Sequence, residues 1–106
     1  MESMEVASFQ LILHSGNARS SAHEALSMIK QNLKPQGLEK LKEAKAELLI
    51  AQKEHAQLLR RYANAEEIQV DLLLVHAEDH IASTQVSVEL IDEMIQMYER
   101  MERYEK

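Results

Sequence analysis

The sequence lacks cysteine and tryptophan, and it contains few other aromatic residues. The absence of cysteine excludes disulfides, thiolate nucleophiles and zinc–sulfur sites, and it is compatible with a reducing cytosol. One phenylalanine, three tyrosines and a net charge of −6 provide neither the stacking surfaces nor the basic patch typical of nucleic-acid-binding proteins. No apolar run approaches about 18 residues, and no basic segment followed by an apolar one opens the chain. We therefore expect a soluble cytosolic protein that binds no nucleic acid and does not insert into membranes.

Turn-forming residues are also scarce, because the chain has two glycines and one proline. Abundant alanine, leucine, methionine, glutamate, lysine and glutamine favour helix, and no alternating run of valine, isoleucine and threonine predicts a strand. The length of 106 residues and the apolar content of 45% are typical of one globular domain with a modest core. The sequence thus predicts a single all-α domain over residues 1–106.

The first predicted helix begins near Ser3 or Met4 and ends at about Asn32. Its apolar stripe is predicted from the helical period; the stripe consists of Val6, Phe9, Ile12, Leu13, Ala18, Ala22, Ala25, Leu26 and Ile29. Gly16 lies inside this helix, where glycine costs about 1 kcal/mol relative to alanine. We expect Gly16 to allow close approach of another helix or of the functional site.

A turn is predicted from Leu33 to Gly37, because Pro35 disfavours helix at the preceding residue and cannot donate a backbone hydrogen bond. The second helix is predicted from about Leu38 to Tyr62. Its apolar line faces the core, and lysine and glutamate cover the other face.

A short break without glycine is predicted near residues 63–65. Asn64 is then a suitable N-cap, with Glu66 and Glu67 in the first turn of a third helix. This helix is predicted to run from about Glu66 to Arg103. Short connections between the helices predict an antiparallel, up-down-up three-helix bundle.

The third helix carries two apolar seams, separated by roughly 200° around its axis. The first seam contains Leu74, Ala77, Ile81, Thr84, Val88, Ile91, Ile95 and Tyr98. The second seam contains Leu72, His76, Asp79, Ser83, Val86, Leu90, Met94, Met97 and Met101. A surface helix of a monomeric bundle needs one such face, so copies of the same subunit most simply bury the other. The pattern predicts a homo-oligomer with His76 and Asp79 at or near the contact.

Ionisable groups in an apolar seam cost several kcal/mol unless they are paired, hydrated or metal-bound, so they often mark chemistry. Other interpretations exist for each residue. His76 can be a satisfied interface histidine, or can chelate a transition metal together with His80 in an H-x-x-x-H arrangement. Asp79 can be a carboxylate paired with lysine or arginine.

Two segments resemble a known family. The run Val75-His76-Ala77-Glu78-Asp79-His80 is similar to the V-H-A-Q-D-H signature of the lactose/cellobiose/chitobiose class of enzyme IIA subunits, which belong to the bacterial phosphoenolpyruvate-dependent sugar phosphotransferase system. The run Ser15-Gly16-Asn17-Ala18-Arg19-Ser20, continued by Ala25-Leu26, resembles the first-helix segment of the same family.

The resemblance implies a bacterial, cytoplasmic phosphoryl carrier that assembles as a homotrimer, a nine-helix assembly with the third helices facing each other. By motif position, His76 would accept a phosphoryl group from the phosphocarrier protein HPr and pass it to a cysteine of the IIB subunit. The transported sugar would be a β-linked disaccharide of the lactose, cellobiose or chitobiose class. Asp79 would join its copies around a divalent metal such as Mg²⁺ on the three-fold axis.

The chain departs from the family pattern at Glu78, where the family has glutamine. An extra negative charge near a phosphoryl group would disfavour the phosphorylated state unless a cation offsets it. Arg19 could supply the positive charge that offsets Glu78, or it could form a surface ion pair. We expect His14, His23 and His55 to be surface or packing residues.

Two alternatives to the phosphoryl carrier stay open. One is a structural or regulatory metal-bound trimer that has lost phosphotransfer, and Glu78 is the sequence feature that would indicate it. The other is a metal-storing or metal-sensing bundle that uses His76, Asp79 and His80.

Overall fold

The computed structural model describes residues 3–64 and 70–105. These residues form three α-helices, α1 (Met4–Lys30), α2 (Lys34–Ala63) and α3 (Leu72–Tyr104), and no strand. The all-α prediction is therefore confirmed. No helix in these two ranges is long and apolar enough to cross a membrane.

Helix α1 begins as its sequence predicts. The Ser3 hydroxyl accepts a hydrogen bond from the Val6 amide at 3.1 Å, which satisfies one of the free amides of the first turn. The helix ends at Lys30, and Asn32 then adopts a left-handed conformation with φ of 64°, so the chain reverses within a short corner. A Cβ added at Gly16 would meet no described atom within 4 Å, so none of the three helices described here requires this glycine for close packing.

Helix α2 begins four residues earlier than predicted, so the expected turn from Leu33 to Gly37 was wrong. Pro35 lies in the first turn of α2, where its missing amide hydrogen costs no helical bond and its fixed φ suits the helix. Gly37 is already helical and buried, and an added Cβ there would lie 2.8 Å from Ile29 Cδ1. The connection between α1 and α2 is consequently very short.

Helix α3 begins later than predicted. Asp71 is its N-cap, and an oxygen of its carboxylate accepts a hydrogen bond from the Leu74 amide at 2.9 Å. Asn64, predicted as this cap, instead follows the last turn of α2 as its C-cap. Glu66 and Glu67 lie outside the described residues. The helix ends at Tyr104, one residue beyond the predicted end.

The core lies along α1, between α2 and α3. Alanine side chains on α1 and α2 are fully buried and allow the two backbones to approach closely; they are Ala18, Ala22, Ala25, Ala44 and Ala51. The first seam of α3 is buried from Leu74 to Ile95, as predicted, whereas Tyr98 is exposed. The predicted α1 stripe was partly wrong, because Val6, Phe9 and Leu13 are exposed.

Ion pairs and hydrogen bonds join α2 to α3. Lys34 Nζ lies 3.5 Å from carboxylate oxygens of both Glu99 and Glu102, and Lys45 Nζ lies 2.8 Å from Asp92 Oδ2. Burial acts to raise the pKa of the Asp92 carboxyl, but hydrogen bonds from Lys45 and Gln96 and the Lys45 charge outweigh it. The pKa of Asp92 therefore lies below its usual value.

Candidate functional site

The second seam of α3 is exposed along its whole length. It faces away from both other helices, because the first seam of α3 already contacts the core. Its large apolar side chains are 43 to 84% exposed; they are Leu72, Val86, Leu90, Met94, Met97 and Met101. From Val86 to Met101 a single subunit thus leaves an apolar strip open, which is typical of an interaction surface.

His76 lies on this seam, in the second turn of α3, and its side chain is exposed. Its ring meets the ring of His80, one turn further along, with centroids 4.5 Å apart and an interplanar angle of 81°. This edge-to-face contact with the half-buried His80 limits the orientations of the His76 imidazole. The ring is therefore accessible to an incoming group while one side of it is supported.

Asp79 is exposed on the same seam, one turn beyond His76. Among residues 3–64 and 70–105 no side chain forms an ion pair or hydrogen bond with it, so no described lysine or arginine neutralises this carboxylate. The described part of one subunit also contains no group of three or more acids and histidines that could hold a metal ion.

Glu78 points to the other side of α3, towards α2. Its Oε2 lies 2.7 Å from His55 Nε2, and both side chains are part-buried. The predicted role of His55 as a plain surface or packing residue was therefore incomplete. No local pattern in the sequence predicts this pair, because its members are 23 positions apart and meet only through the antiparallel register of α2 and α3.

The other singled-out residues lie away from the His76 ring contact. His14 Nδ1 lies 2.6 Å from Glu47 Oε2, across the α1 and α2 interface. His23 and Arg19 are exposed on α1, and Arg19 forms no ion pair with a described side chain.

The chemistry available at the seam is that of an exposed imidazole on a rigid helix. A neutral imidazole nitrogen is nucleophilic near neutral pH, and no cysteine competes with it in the chain. Group transfer through such a ring depends mainly on alignment of the donor and acceptor. The arrangement suits a protein that receives a group from one partner and delivers it to another.

Comparison with known proteins agrees with this chemistry. The curated family described as "PTS system, Lactose/Cellobiose specific IIA subunit" matches residues 6–99 of the chain. The lichenan-specific phosphotransferase enzyme IIA component of Bacillus subtilis (strain 168) is 37% identical over 100 residues, which cover 94% of this chain and 91% of that protein.

Solved structures share the fold over nearly the whole chain. The cellobiose-specific enzyme IIA from Bacillus anthracis superposes with a TM-score of 0.89 and 36% identity, covering 97% of this chain and 95% of that one. The IIA(Chitobiose) in complex with HPr, from the N,N'-diacetylchitobiose branch of the Escherichia coli phosphotransferase system, superposes with a TM-score of 0.81 and 30% identity, covering 96% and 99%. The chain therefore belongs to the lactose/cellobiose-specific enzyme IIA family of the sugar phosphotransferase system.

Proposed function

We propose that this enzyme IIA component carries its phosphoryl group on His76. The group is accepted from phosphorylated HPr and passed to a cysteine of the cognate IIB subunit, in the cytoplasm, during uptake of a β-linked disaccharide of the lactose, cellobiose or chitobiose class. The observation that carries the proposal is the exposed His76 ring within the run Val75-His76-Ala77-Glu78-Asp79-His80. A ring enclosed by the bundle would have been unable to meet either partner.

The transfer steps require little from the subunit beyond placing the ring. In the first step a nitrogen of His76 forms a bond to phosphorus while the bond from phosphorus to HPr breaks. In the second step that nitrogen–phosphorus bond breaks as the IIB thiolate forms a sulfur–phosphorus bond. Catalysis in phosphoryl transfer comes mostly from positioning and charge stabilisation, so one histidine supported on one side can suffice.

HPr as donor is supported by the similarity to the IIA(Chitobiose) that forms a complex with HPr, which extends over 96% of this chain. The sugar class is supported by relatives named for lichenan and cellobiose, both β-linked glucans or glucosides. Selectivity for one sugar belongs to the membrane component of such systems, so the phosphoryl carrier does not need a sugar pocket.

We also propose a homotrimer in which the second seams of α3 face each other. The open strip of leucine and methionine side chains supports this assembly, because exposed apolar area of this extent favours association. Three copies of Asp79 near a three-fold axis would repel each other. A divalent cation with oxygen ligands, such as Mg²⁺, would remove that repulsion, and the exposed carboxylate, which pairs with no described side chain, fits this role.

The alternative of a trimer that has lost phosphotransfer rests on the extra charge of Glu78. That alternative loses its main support, because Glu78 is paired with His55 on the far side of α3.

Incubation with phosphoenolpyruvate, enzyme I and HPr tests the proposal. The wild-type chain is expected to acquire one acid-labile, hydroxylamine-sensitive phosphoryl group, and His76→Ala is expected to acquire none. His23→Ala is a matched control, because His23 is exposed on α1 and outside the motif. An unphosphorylated wild type, or a His76→Ala variant that is phosphorylated normally, contradicts the proposal.

A further inference from the structure

The first half of α1 carries large apolar side chains on the side that faces away from the core. Val6, Phe9 and Leu13 are 45, 53 and 53% exposed, whereas Ala7 and Leu11 between them are buried. This part of the helix is therefore apolar on both sides. Such a helix is typical of a segment that is covered from all sides, and the described residues of one subunit cover only its inner side.

The same stretch of α1 lacks charge. Residues 6–18 contain no lysine, arginine, aspartate or glutamate, although these residue types make up 28% of the chain. The single phenylalanine of the chain, Phe9, lies within this stretch. The centre of a protein–protein interface is typically depleted of charged residues and enriched in aromatic ones. We call the exposed side chains of Val6, Phe9 and Leu13 the apolar α1 face.

The apolar α1 face is level with His76 along the bundle. Helices α1 and α3 run in the same direction, and the hydrogen bond from the Thr84 hydroxyl to the Ser15 carbonyl oxygen sets their register. His76 precedes Thr84 by eight residues, and Phe9 precedes Ser15 by six. At about 1.5 Å of rise per residue, Phe9 and His76 differ in height by about 3 Å.

Phe9 and His76 also lie on the same flank of the bundle. On α3, Glu78 contacts α2, and His76 points about 200° around the helix from it. On α1, His14 contacts α2, and Phe9 points about 140° around the helix from it. Both side chains therefore turn away from α2, and they do so on neighbouring helices whose axes are typically about 8 to 10 Å apart.

A protein that donates a phosphoryl group to His76 has to cover this flank. Its phosphorus has to approach a nitrogen of the ring to about 3.5 Å before transfer. Even a weak, transient interface buries on the order of 500 Å² of each partner, which corresponds to a footprint with a radius of roughly 13 Å. Such a footprint around His76 includes Phe9. The subunit contact proposed above uses the second seam of α3 and does not account for the apolar α1 face.

We propose that Val6, Phe9 and Leu13 form the apolar part of the surface that docks phosphorylated HPr, with Phe9 nearest to His76. This inference rests on the proposed function and deepens it, because it assigns recognition of the donor to a helix outside the signature run. The three side chains determine how tightly the donor binds and take no part in the chemistry.

The chain offers a matched control for the loss of an exposed apolar side chain. Leu49 is 51% exposed, close to the 53% of Leu13, and it lies on α2, which carries neither His76 nor the apolar α1 face. Phe9→Gln and Leu13→Gln, singly and together, remove apolar area from the proposed surface. Leu49→Gln removes a similar area elsewhere. Glutamine is uncharged and is tolerated well within helices, so these exposed positions are expected to stay folded.

The experiment measures the rate of phosphorylation of the full chain at increasing concentrations of phosphorylated HPr. Each single variant is expected to raise KM for phosphorylated HPr by about threefold to tenfold, the size expected when half of a large apolar side chain is no longer buried on binding. The double variant is expected to raise it further, and kcat is expected to change little. Leu49→Gln is expected to match the wild type. Phosphorylation by phosphoramidate is expected to be unchanged in all variants, because so small a donor needs no docking surface.

An unchanged KM in the double variant overturns the inference, and so does an equal rise in Leu49→Gln. Loss of phosphorylation by phosphoramidate also overturns it, since the substitutions would then act on the ring itself. Sedimentation gives the oligomeric state. A double variant in a smaller assembly than the wild type would show that a second copy of the chain covers the apolar α1 face, which overturns the inference as well.

All of these outcomes are read against a wild type that is phosphorylated on His76. Failure of the inference is therefore distinct from failure of the proposed function, in which the wild type is not phosphorylated or His76→Ala is phosphorylated normally.

Discussion

The Thr84 hydroxyl of α3 donates a hydrogen bond of 3.2 Å to the Ser15 carbonyl oxygen of α1. Both residues are fully buried, and they are 69 positions apart in the chain. The bond sets the register of α1 against α3, one turn beyond His80. A hydrogen bond needs its donor and acceptor at one distance and orientation, so this contact specifies the helix register more strictly than leucine and alanine contacts do.

We expect Thr84→Val to lower the free energy of unfolding by about 1 kcal/mol, because it removes this hydrogen bond while keeping the side-chain shape. Ser15→Ala is the matched comparison. The Ser15 hydroxyl is buried without a hydrogen-bond partner in the described chain, so its removal is expected to leave stability equal or greater. Urea denaturation at one protein concentration measures both. A Ser15→Ala variant less stable than Thr84→Val would contradict this account.

The two glycines are expected to respond in opposite ways to alanine. At Gly37 the new Cβ would lie 2.8 and 2.9 Å from Ile29 side-chain carbons and 3.1 Å from the Ala25 carbonyl oxygen. We expect Gly37→Ala to cost about 1 kcal/mol, since crowding outweighs the gain in helix propensity. At Gly16 the new Cβ meets open space, so Gly16→Ala is expected to raise stability by up to about 1 kcal/mol. Thermal unfolding checks the signs. A destabilised Gly16→Ala would indicate that another helix or the functional site approaches closely there, as the sequence predicted.

Acid is expected to weaken the contact between α2 and α3 through Asp92. Because hydrogen bonds from Lys45 and Gln96 hold the pKa of Asp92 below its ordinary value of 3.8, the carboxylate stabilises the fold above that value. This contribution is lost as the pH falls through the lower, folded-state pKa. Wild type should therefore lose stability more steeply below about pH 4 than Asp92→Asn does. Parallel stability curves for the two proteins would show that the Lys45 contact has no role.

Asp79→Leu is expected to keep the proposed trimer and to lose the proposed divalent metal. A leucine relieves the axial repulsion as a cation would, and it also adds apolar area to the seam. Sedimentation gives the oligomeric state, and metal analysis of the purified protein gives the cation content. Asp79→Asn serves as the control that keeps the side-chain shape and removes the charge. A monomeric Asp79→Leu would show that the cation holds the subunits together.

Much of the fold follows from periodicity, because the spacing of apolar residues on α3 fixes which face meets the core. The helix boundaries were predicted less accurately from the sequence, because proline is equally suited to a turn and to the first turn of a helix. Pro35 belongs to the helix, and the cap of α3 is Asp71 where the sequence indicated Asn64. On α1, large exposed residues such as Phe9 contrast with buried Ser15, because small side chains allow the closer approach of helices.

The candidate site also contains residues that the sequence predicts and a contact that it does not predict. His76 and Asp79 were predicted on a second face of α3, at or near a contact between subunits, because their seam is displaced from the core seam of the same helix, which is a local property of the sequence. The contact of His55 with Glu78 was not predicted, because it depends on how α2 is placed against α3. Such a placement results from packing along the whole bundle and has no signature within either segment.

The open strip of α3 also sets a limit on engineering this protein. Replacing Met97 or Leu90 with a charged residue to obtain a soluble single subunit would disrupt the apolar strip that neighbouring copies are proposed to cover, and His76 lies on the same seam. Libraries screened for monomer yield would therefore be enriched in carriers that have lost their docking environment. Variants therefore have to be selected for solubility and for phosphoryl transfer at the same time.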